Sequence, residues 1–381
     1  MNVKLASLLL VTSFPGLASA QPAAAEAPAL AAIRSRVAAE CAAGSFSGVV
    51  VARRRGEIVY RQACGFVDAA RSIPITLQAR FKLFSLSKSF TATAILRLSA
   101  RGRLALDRSI LSYLPDAPET WRGVTVRHLL QHRSAIPDLT ERLLEAYQNG
   151  GARTHAEAMD LVLASPEARA AALAGVPGAD WQYSNFGYEL LARIAERVEG
   201  RPFAEVLRRE IFVPAGMHMA SVERPMTGPG PLAAAPSARL VPGFNGTPAA
   251  WTRADSYSFV QQGAGALHAG YRDLLAFDAA LGSGRLLSPA MQARNIGEAV
   301  RVNDDVRYGY GWLIRTMNGC TYWQHSGGTN GYVSEFARAP EPGLSVIVLA
   351  NLGFADASAL RRDLLRALLP TPTSPGACRR G

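Results

Sequence analysis

Strand-like sequence sits at both ends of this 381-residue chain, with a helix-rich stretch between. Near the N-terminus, residues 48–52 and 57–64 are β-rich runs joined by Arg53-Arg54-Arg55-Gly56, a hairpin signal. Near the C-terminus, residues 310–315, 321–325, 333–338 and 344–351 read the same way. Strands of one sheet must meet in space whatever their separation in sequence. The order therefore predicts one sheet assembled from both termini, with the middle of the chain inserted beside it and a ligand cleft at the seam.

Helical spacing marks 29–42, where Ile33 and Val37 share a face, and 85–99, where Phe90, Ile95 and Leu98 do. Residues 124–131, 154–163, 188–198 and 203–211 read as helices of the insertion, and 273–281 and 357–369 as later ones. Residues 225–250, dense in Pro and Gly, read as a long irregular loop. No internal repeat is evident. The expected organisation is a discontinuous sheet domain over 29–106 plus 262–370, a helical insertion over 107–261, and a tail over 371–381. The fold class is α/β (α+β): an antiparallel sheet flanked by helices, with an inserted all-helical domain.

Residues 1–20 have the pattern of a secretory signal peptide. Lys4 gives the positive start, 5–17 is largely apolar, and Ala18-Ser19-Ala20 offers a small-x-small cleavage site. No cysteine follows that site and no later apolar run is long enough to span a membrane, so a periplasmic or secreted protein without a membrane anchor is expected. Export makes Cys41, Cys64, Cys320 and Cys378 candidates for disulfides. Three pairings are open, and Cys41 with Cys64, flanking the hairpin, is the first expectation. There is no Cys-x-x-Cys to support a zinc or thioredoxin-like reading.

The formal charge of +11 would suit an anionic partner. Yet Arg53-Arg54-Arg55 is the single dense basic run, it falls in a turn, and no nucleic-acid motif accompanies it. A solvated basic surface is the better reading, and no nucleic-acid partner is expected.

The chemistry starts from a residue choice. The chain has 38 arginines and only three lysines, Lys4, Lys82 and Lys88. Lys88 stands three residues after Ser85, so on a helix the two lie one turn apart on one face. A neutral amine can take a proton from a hydroxyl; a guanidinium cannot, because it does not give up its charge. Tyr183-Ser184-Asn185 lies in a loop of the insertion just before a helix, and His325-Ser326-Gly327-Gly328 closes a strand near the C-terminus. Each is weak alone.

Ordered as Ser-x-x-Lys, Tyr-x-Asn and His-x-Gly on helix, inserted loop and strand, these motifs resemble the penicillin-recognising serine hydrolases. That family includes class C β-lactamases, DD-peptidases, D-amino-acid amidases and β-lactamase-like esterases. Leu104-Ala105-Leu106-Asp107, Val126-Arg127-His128-Leu129-Leu130-Gln131-His132 and Tyr308-Gly309-Tyr310-Gly311-Trp312 extend the resemblance over nearly the whole chain after residue 20.

The resemblance implies Ser85 as nucleophile, with Lys88 as base and Tyr183 as proton relay, and leaves open which of Lys88 and Tyr183 is the base in each half-reaction. Asn185 would bind the substrate amide and hold Lys88. Backbone N–H groups of Ser85 and Gly328 would form the oxyanion hole, with His325, Ser326 and Gly327 on the substrate strand and both glycines admitting substrate to the strand edge. No metal or cofactor is implied. The substrate would be a small molecule or peptide: a peptidoglycan-like peptide, an ester or a β-lactam.

His325 is the informative departure, since class C β-lactamases carry Lys-Thr-Gly there. A histidine is mostly neutral at pH 7.5, so weak β-lactam turnover is expected. Arg133 and Ala135 also depart, standing where the family commonly has Thr and Gly. The expected function is a serine hydrolase of amides or esters. A β-lactamase is the first alternative and a penicillin-binding sensor or silent relative the second.

Other readings fall short. His128 and His132 are four apart on a helix but lack the acidic partner of His-Glu-x-x-His. Gly44-Ser45-Phe46-Ser47-Gly48 has Phe where a nucleophile elbow needs Ser. Trp181, Tyr310, Trp312 and Tyr332 are candidates to line the cleft.

Overall fold

The computed structural model describes residues 28–226, 239–254, 258–370 and 378. The expected signal segment 1–20 and all of the expected tail except Cys378 lie outside the described residues.

Helix α1 (Pro28–Ala43) precedes a hairpin of β1 (Gly48–Arg54) and β2 (Glu57–Cys64). Its turn puts Arg55 and Gly56 at φ 52° and 89°, the left-handed pair that a tight hairpin of this twist requires. Strand β3 (Phe81–Lys82) then leads to α2 (Ser87–Ala100). The insertion holds α3 (Val126–Leu130), α4 (Thr140–Gln148), α5 (His155–Ala164), α6 (Pro166–Ala170), α7 (Asn185–Glu199), α8 (Phe203–Leu207) and α9 (Val213–Ala215). After these helices come β4 (Ser221–Val222), the hairpin β5 (Phe244–Thr247) and β6 (Ala250–Arg253), β7 (Leu267–Ala269), α10 (Tyr271–Gly282) and α11 (Pro289–Gly297). Strands β8 (Val300–Asn303), β9 (Val306–Tyr308), β10 (Leu313–Met317), β11 (Cys320–Thr329), β12 (Tyr332–Ala339) and β13 (Leu344–Ala350) precede α12 (Ala357–Leu368).

Eight strands form one antiparallel sheet in the order β2-β1-β13-β12-β11-β10-β9-β8. The termini meet where β1 pairs with β13, from Gly48 opposite Ala350 to Arg54 opposite Leu344. Both faces of these central strands are covered, which is why β13 reads as an apolar run interrupted only by Ser345. Val49, Val51, Ile347 and Leu349 face a core shared with Phe90 and Ile95 of α2, Phe277 of α10 and Leu190 of α7. Their neighbours Val50, Ala52, Val346 and Val348 face a second core built with Val37 of α1 and Leu360 and Leu364 of α12. The two-residue period of a strand divides one sequence between two cores.

Some expectations need correcting. The insertion is not all helical: β4 pairs with β7, and the stretch read as an irregular loop over 225–250 contains β5 and ends within the β5–β6 hairpin. The expected strand 310–315 is displaced, because a turn through Gly311 (φ 77°) separates β9 from β10. Helices α4, α6, α9 and α11 were not foreseen. Helix α11 buries only Asn295 and starts on a Ser288 cap with Pro289 in its first turn, so it shows little apolar period to read.

Disulfides join Cys41 to Cys64 and Cys320 to Cys378, the first as expected. Among the described residues no helix is long and apolar enough to cross a membrane.

Candidate active site

Ser85 lies in a 3-10 turn, Phe84–Leu86, that runs directly into α2. The residue before it is strained: Phe84 has φ 46°, a left-handed conformation seldom adopted by a bulky side chain. The segment is pinned on several sides. Leu83 N–H donates to Leu267 O at 2.8 Å, and Ser334 Oγ donates to Leu83 O at 2.8 Å. A Cβ at Gly327 would lie 1.9 Å from that same Leu83 oxygen. This corrects the expected role of Gly327: its missing side chain seats β11 against the nucleophile turn. Gly328 has no such conflict, its hypothetical Cβ finding only Tyr332 O at 3.7 Å.

Lys88, one turn on, is fully buried. Its Nζ has three partners: Ser85 Oγ at 3.1 Å, Asn185 Oδ1 at 2.7 Å and Ala264 O at 3.2 Å. None is a carboxylate. The amine also lies over the rings of Tyr183 and Tyr188, 4.8 and 5.6 Å from their centroids.

Tyr183 and Asn185 flank Ser184, the N-cap of α7, whose hydroxyl accepts Gly187 N–H at 2.9 Å. With Asn185 Oδ1 engaged by Lys88, the amide NH2 of Asn185 has no partner among the described residues and is free to donate. Tyr183 is 39% exposed, and its hydroxyl likewise makes no hydrogen bond among the described residues. Its loop is splinted by His132, whose carbonyl accepts Gln182 N–H at 2.7 Å and whose Nδ1 accepts Ser184 N–H at 3.1 Å.

That last bond fixes the His132 tautomer. With Nδ1 an acceptor, Nε2 carries the proton and donates to the Tyr308 hydroxyl at 3.1 Å. Tyr188 spends its own proton on Leu130 O at 2.9 Å. The Tyr308 proton is therefore available to His325 Nε2 or Tyr188 Oη, both at 3.4 Å. His325 in turn donates from Nδ1 to Ser326 O at 2.7 Å. Burial first, and then the nearby Lys88, pushes His325 down to about 3 and His132 well below the usual histidine range. Burial also raises Tyr188 and Tyr308 far above ordinary phenols. The wall next to Lys88 is polar but uncharged.

Strand β11 offers the other wall. Its pairing with β10 ends at Leu313 opposite Gln324, which leaves the edge from His325 to Thr329 unpaired on that side. A cavity of about 290 Å³ opens there, lined by Ser85, Trp181, Tyr183, Tyr308, Leu313, His325, Ser326 and Gly328.

Of the four aromatics expected in the cleft, only Trp181 lines it. Tyr310 and Trp312 belong to the core, since Gly311 presses their turn so close to α2 that a Cβ there would meet Lys88 O at 2.8 Å. Tyr332 is buried, with its hydroxyl on Val241 O at 2.7 Å. The ring that reasoning from sequence missed is Tyr308, two residues before Tyr310 in the same motif. Ala264, Leu313 and Ser334 were missed too, and no local pattern marks them. Arg133 donates to Ala179 O at 2.9 Å, and Ala135 sits at φ 57°. His128 Nδ1 accepts Thr125 N–H at 3.3 Å, and His132 lies beyond α3 at φ 58°, so the two histidines weighed as a metal pair do not share a helix.

Comparison with known proteins agrees with this geometry. Residues 31–370 match the Beta-lactamase family. Penicillin-binding protein 4* of Bacillus subtilis (strain 168) is 29% identical over 316 residues, 80% of this chain and 68% of that protein. Esterase EstB of Burkholderia gladioli is 35% identical over 177 residues, 44% of this chain and 45% of its own. Further relatives are D-aminopeptidases, of which the chain spans about 60% of the length. The crystal structure of a penicillin binding protein from Bacillus halodurans superposes with TM-score 0.73 at 25% identity, covering 89% of this chain and 98% of that one. Motif order, sheet topology and these matches agree: the chain belongs to the Beta-lactamase family of serine hydrolases.

Proposed function

We propose that this serine hydrolase cleaves esters or amides through an acyl-enzyme on Ser85, with Lys88 as the base. The observation that carries this reading is the Lys88 amine, 3.1 Å from Ser85 Oγ and otherwise hydrogen-bonded only to neutral oxygens. With two N–H groups on Asn185 Oδ1 and Ala264 O, a neutral amine turns its lone pair to the Ser85 hydroxyl. Lys88 takes that proton as Oγ attacks the substrate carbonyl carbon and the carbonyl electron pair moves onto oxygen. Ser85 and Gly328 N–H groups are the proposed donors to this oxyanion; losing one such donor typically lowers rates ~10²–10³-fold. Collapse of the tetrahedral intermediate expels the alcohol or amine, which receives the proton from Lys88, with the unengaged Tyr183 hydroxyl as relay. Water then attacks the acyl carbon and passes a proton to the same base; collapse of this second intermediate breaks the acyl–Oγ bond, Lys88 returns the proton to Ser85 Oγ, and the acid leaves.

Substrate choice turns on His325. Held neutral, it offers no cation to a substrate carboxylate, and no lysine or arginine is among the described residues lining the cleft. The favoured substrates are esters or amides without a carboxylate beside the scissile bond, and β-lactam turnover is weak. The esterase and D-aminopeptidase names among the relatives support this reading.

The test is a panel of a short-chain nitrophenyl ester, a D-amino-acid amide and nitrocefin, run on wild type and Ser85→Ala. Ester or amide turnover lost in Ser85→Ala is the expected result. Efficient nitrocefin turnover at neutral pH would sink the substrate assignment, and a persistent penicilloyl adduct on Ser85 without turnover of anything would mark a receptor.

We infer further that the protein is exported and that residues 1–20 are removed after Ala20. Two disulfides support this, since such bonds persist in oxidising compartments. An intact mass beginning at Gln21 is expected for the protein recovered from outside the cytoplasm; retention of residues 1–20 in the cytosol overturns the inference.

A further inference from the structure

One of the three oxygens around Lys88 comes from a turn with no sheet ladder to orient it. Ala264 lies in the turn between the 3-10 segment Ser258–Val260 and β7, yet its carbonyl is 3.2 Å from Lys88 Nζ. The restraint comes from α7. Glu189, fully buried, accepts Ala264 N–H on Oε1 at 2.8 Å and Gly263 N–H on Oε2 at 3.0 Å. The turn is pressed onto that helix, since a Cβ at Gly263 would lie 2.1 Å from Tyr188 O. Glu189 stands four residues after Asn185, on the same helix face. One face of α7 thus supplies Lys88 with one acceptor directly and orients a second.

A buried carboxylate needs a counter-charge. His155, at the start of α5, places Nε2 3.1 Å from Glu189 Oε2 and Nδ1 3.1 Å from Glu196 Oε2. Burial alone would lower its affinity for a proton, but Glu196 and Glu189 outweigh burial and hold it up at about 9. At neutral pH both ring nitrogens therefore donate. Glu196 is held in turn by Phe203 N–H at 2.9 Å.

We propose that Glu189, charge-balanced by His155, is a positioning residue for Lys88: it fixes the Gly263–Ala264 turn so that the Ala264 carbonyl orients the amine toward Ser85. This rests on the reading of Lys88 as the base. With N–H groups directed to Asn185 and Ala264, the remaining tetrahedral direction of the amine points at Ser85 Oγ. Release of the turn lets the amine rotate, and the lone pair no longer meets the hydroxyl.

The test reads Ser85 nucleophilicity without requiring turnover. A fluorophosphonate transfers its phosphonyl group to Oγ with loss of fluoride, and intact-protein mass spectrometry gives the maximal labelling rate and the half-saturating concentration. Glu189→Gln should lower the maximal rate ~10–100-fold while the half-saturating concentration moves by less than about twofold, the signature of misorientation without lost binding. His155→Gln should act in the same sense but less strongly.

Thr91→Val removes the 2.6 Å hydrogen bond from Thr91 Oγ1 to Gly263 O. It loosens the same turn without touching a charge, and a slowing of about threefold or more is expected. Folded Glu189→Gln and Thr91→Val proteins that label at the wild-type rate overturn the proposal, even if their melting temperatures fall. If Glu189→Gln does not fold, Thr91→Val decides alone. Wild-type protein that labels at Ser85 but hydrolyses no ester or amide defeats the hydrolase reading, while the labelling comparison still judges Glu189. Absence of labelling at wild-type Ser85 overturns both.

Discussion

Two lysines six residues apart are both buried, yet they keep different company. Lys82, on β3, pairs with the buried Glu223 carboxylate at 2.7 Å. Lys88, on α2, has the same side chain and even less exposure, but its partners are a hydroxyl, an amide and a peptide carbonyl. A carboxylate partner favours the charged amine and ties it down as part of the framework. Neutral oxygens satisfy an ammonium, and they also satisfy an amine that has given up one proton. The partner, not the burial, separates a structural lysine from a reactive one.

The strongest way to break that comparison is Lys88→Arg, which keeps nitrogen donors in place but cannot deprotonate. Ester hydrolysis should fall ~10²–10⁴-fold, the range of a lost general base, and a variant retaining a tenth of wild-type kcat would refute Lys88 as the base. Glu223→Gln probes the other lysine. It replaces the buried carboxylate paired with Lys82 by a neutral amide and should cost ~3 kcal/mol or more in denaturant unfolding, with activity per folded molecule kept.

Two histidines extend the contrast to pH. His155, held at about 9 between carboxylates, lies above its ordinary value of 6.5, so its contribution to stability is complete below ~6.5 and is lost as pH rises through 9. His325, at about 3, lies below 6.5, so the unfolded chain takes the proton first and stability declines as pH falls from ~6.5 toward 3. The His155 term is ~3 kcal/mol and the His325 term ~5 kcal/mol. Urea melts from pH 4 to 10 should show His155→Gln flattening the alkaline limb only, and His325→Asn the acid limb only. The smallest test removes strain and leaves charge alone. Ala135→Gly relieves a left-handed alanine and should raise stability by ~1 kcal/mol with kcat unchanged.

What could be read in the sequence was whatever repeats or clusters locally. The apolar runs of β1 and β13 announced a sheet closed by both ends of the chain, and the three-residue spacing of Ser85 and Lys88 announced a shared helix face. The cleft aromatics were misjudged because Tyr308 and Tyr310 look equivalent in sequence; the turn at Gly311 sends one to the cavity and the other to the core. Gly327 looked like a concession to substrate and proved to be a seat for Leu83 O. Glu189 and His155 carried no signal at all, since their meaning lies in partners 75 and 34 residues away. Through-space contacts of that kind leave no period for a linear reading to detect.

The register of β1 against β13 has a consequence for the order of events in folding. Gly48 cannot find Ala350 until the long stretch of chain between them exists, and loop closure over such a span is slow. The β1–β2 hairpin must wait with one edge bare for a partner synthesised much later. Truncations that remove β13 should therefore leave an exposed, valine-rich edge and drive the shortened chain to aggregate.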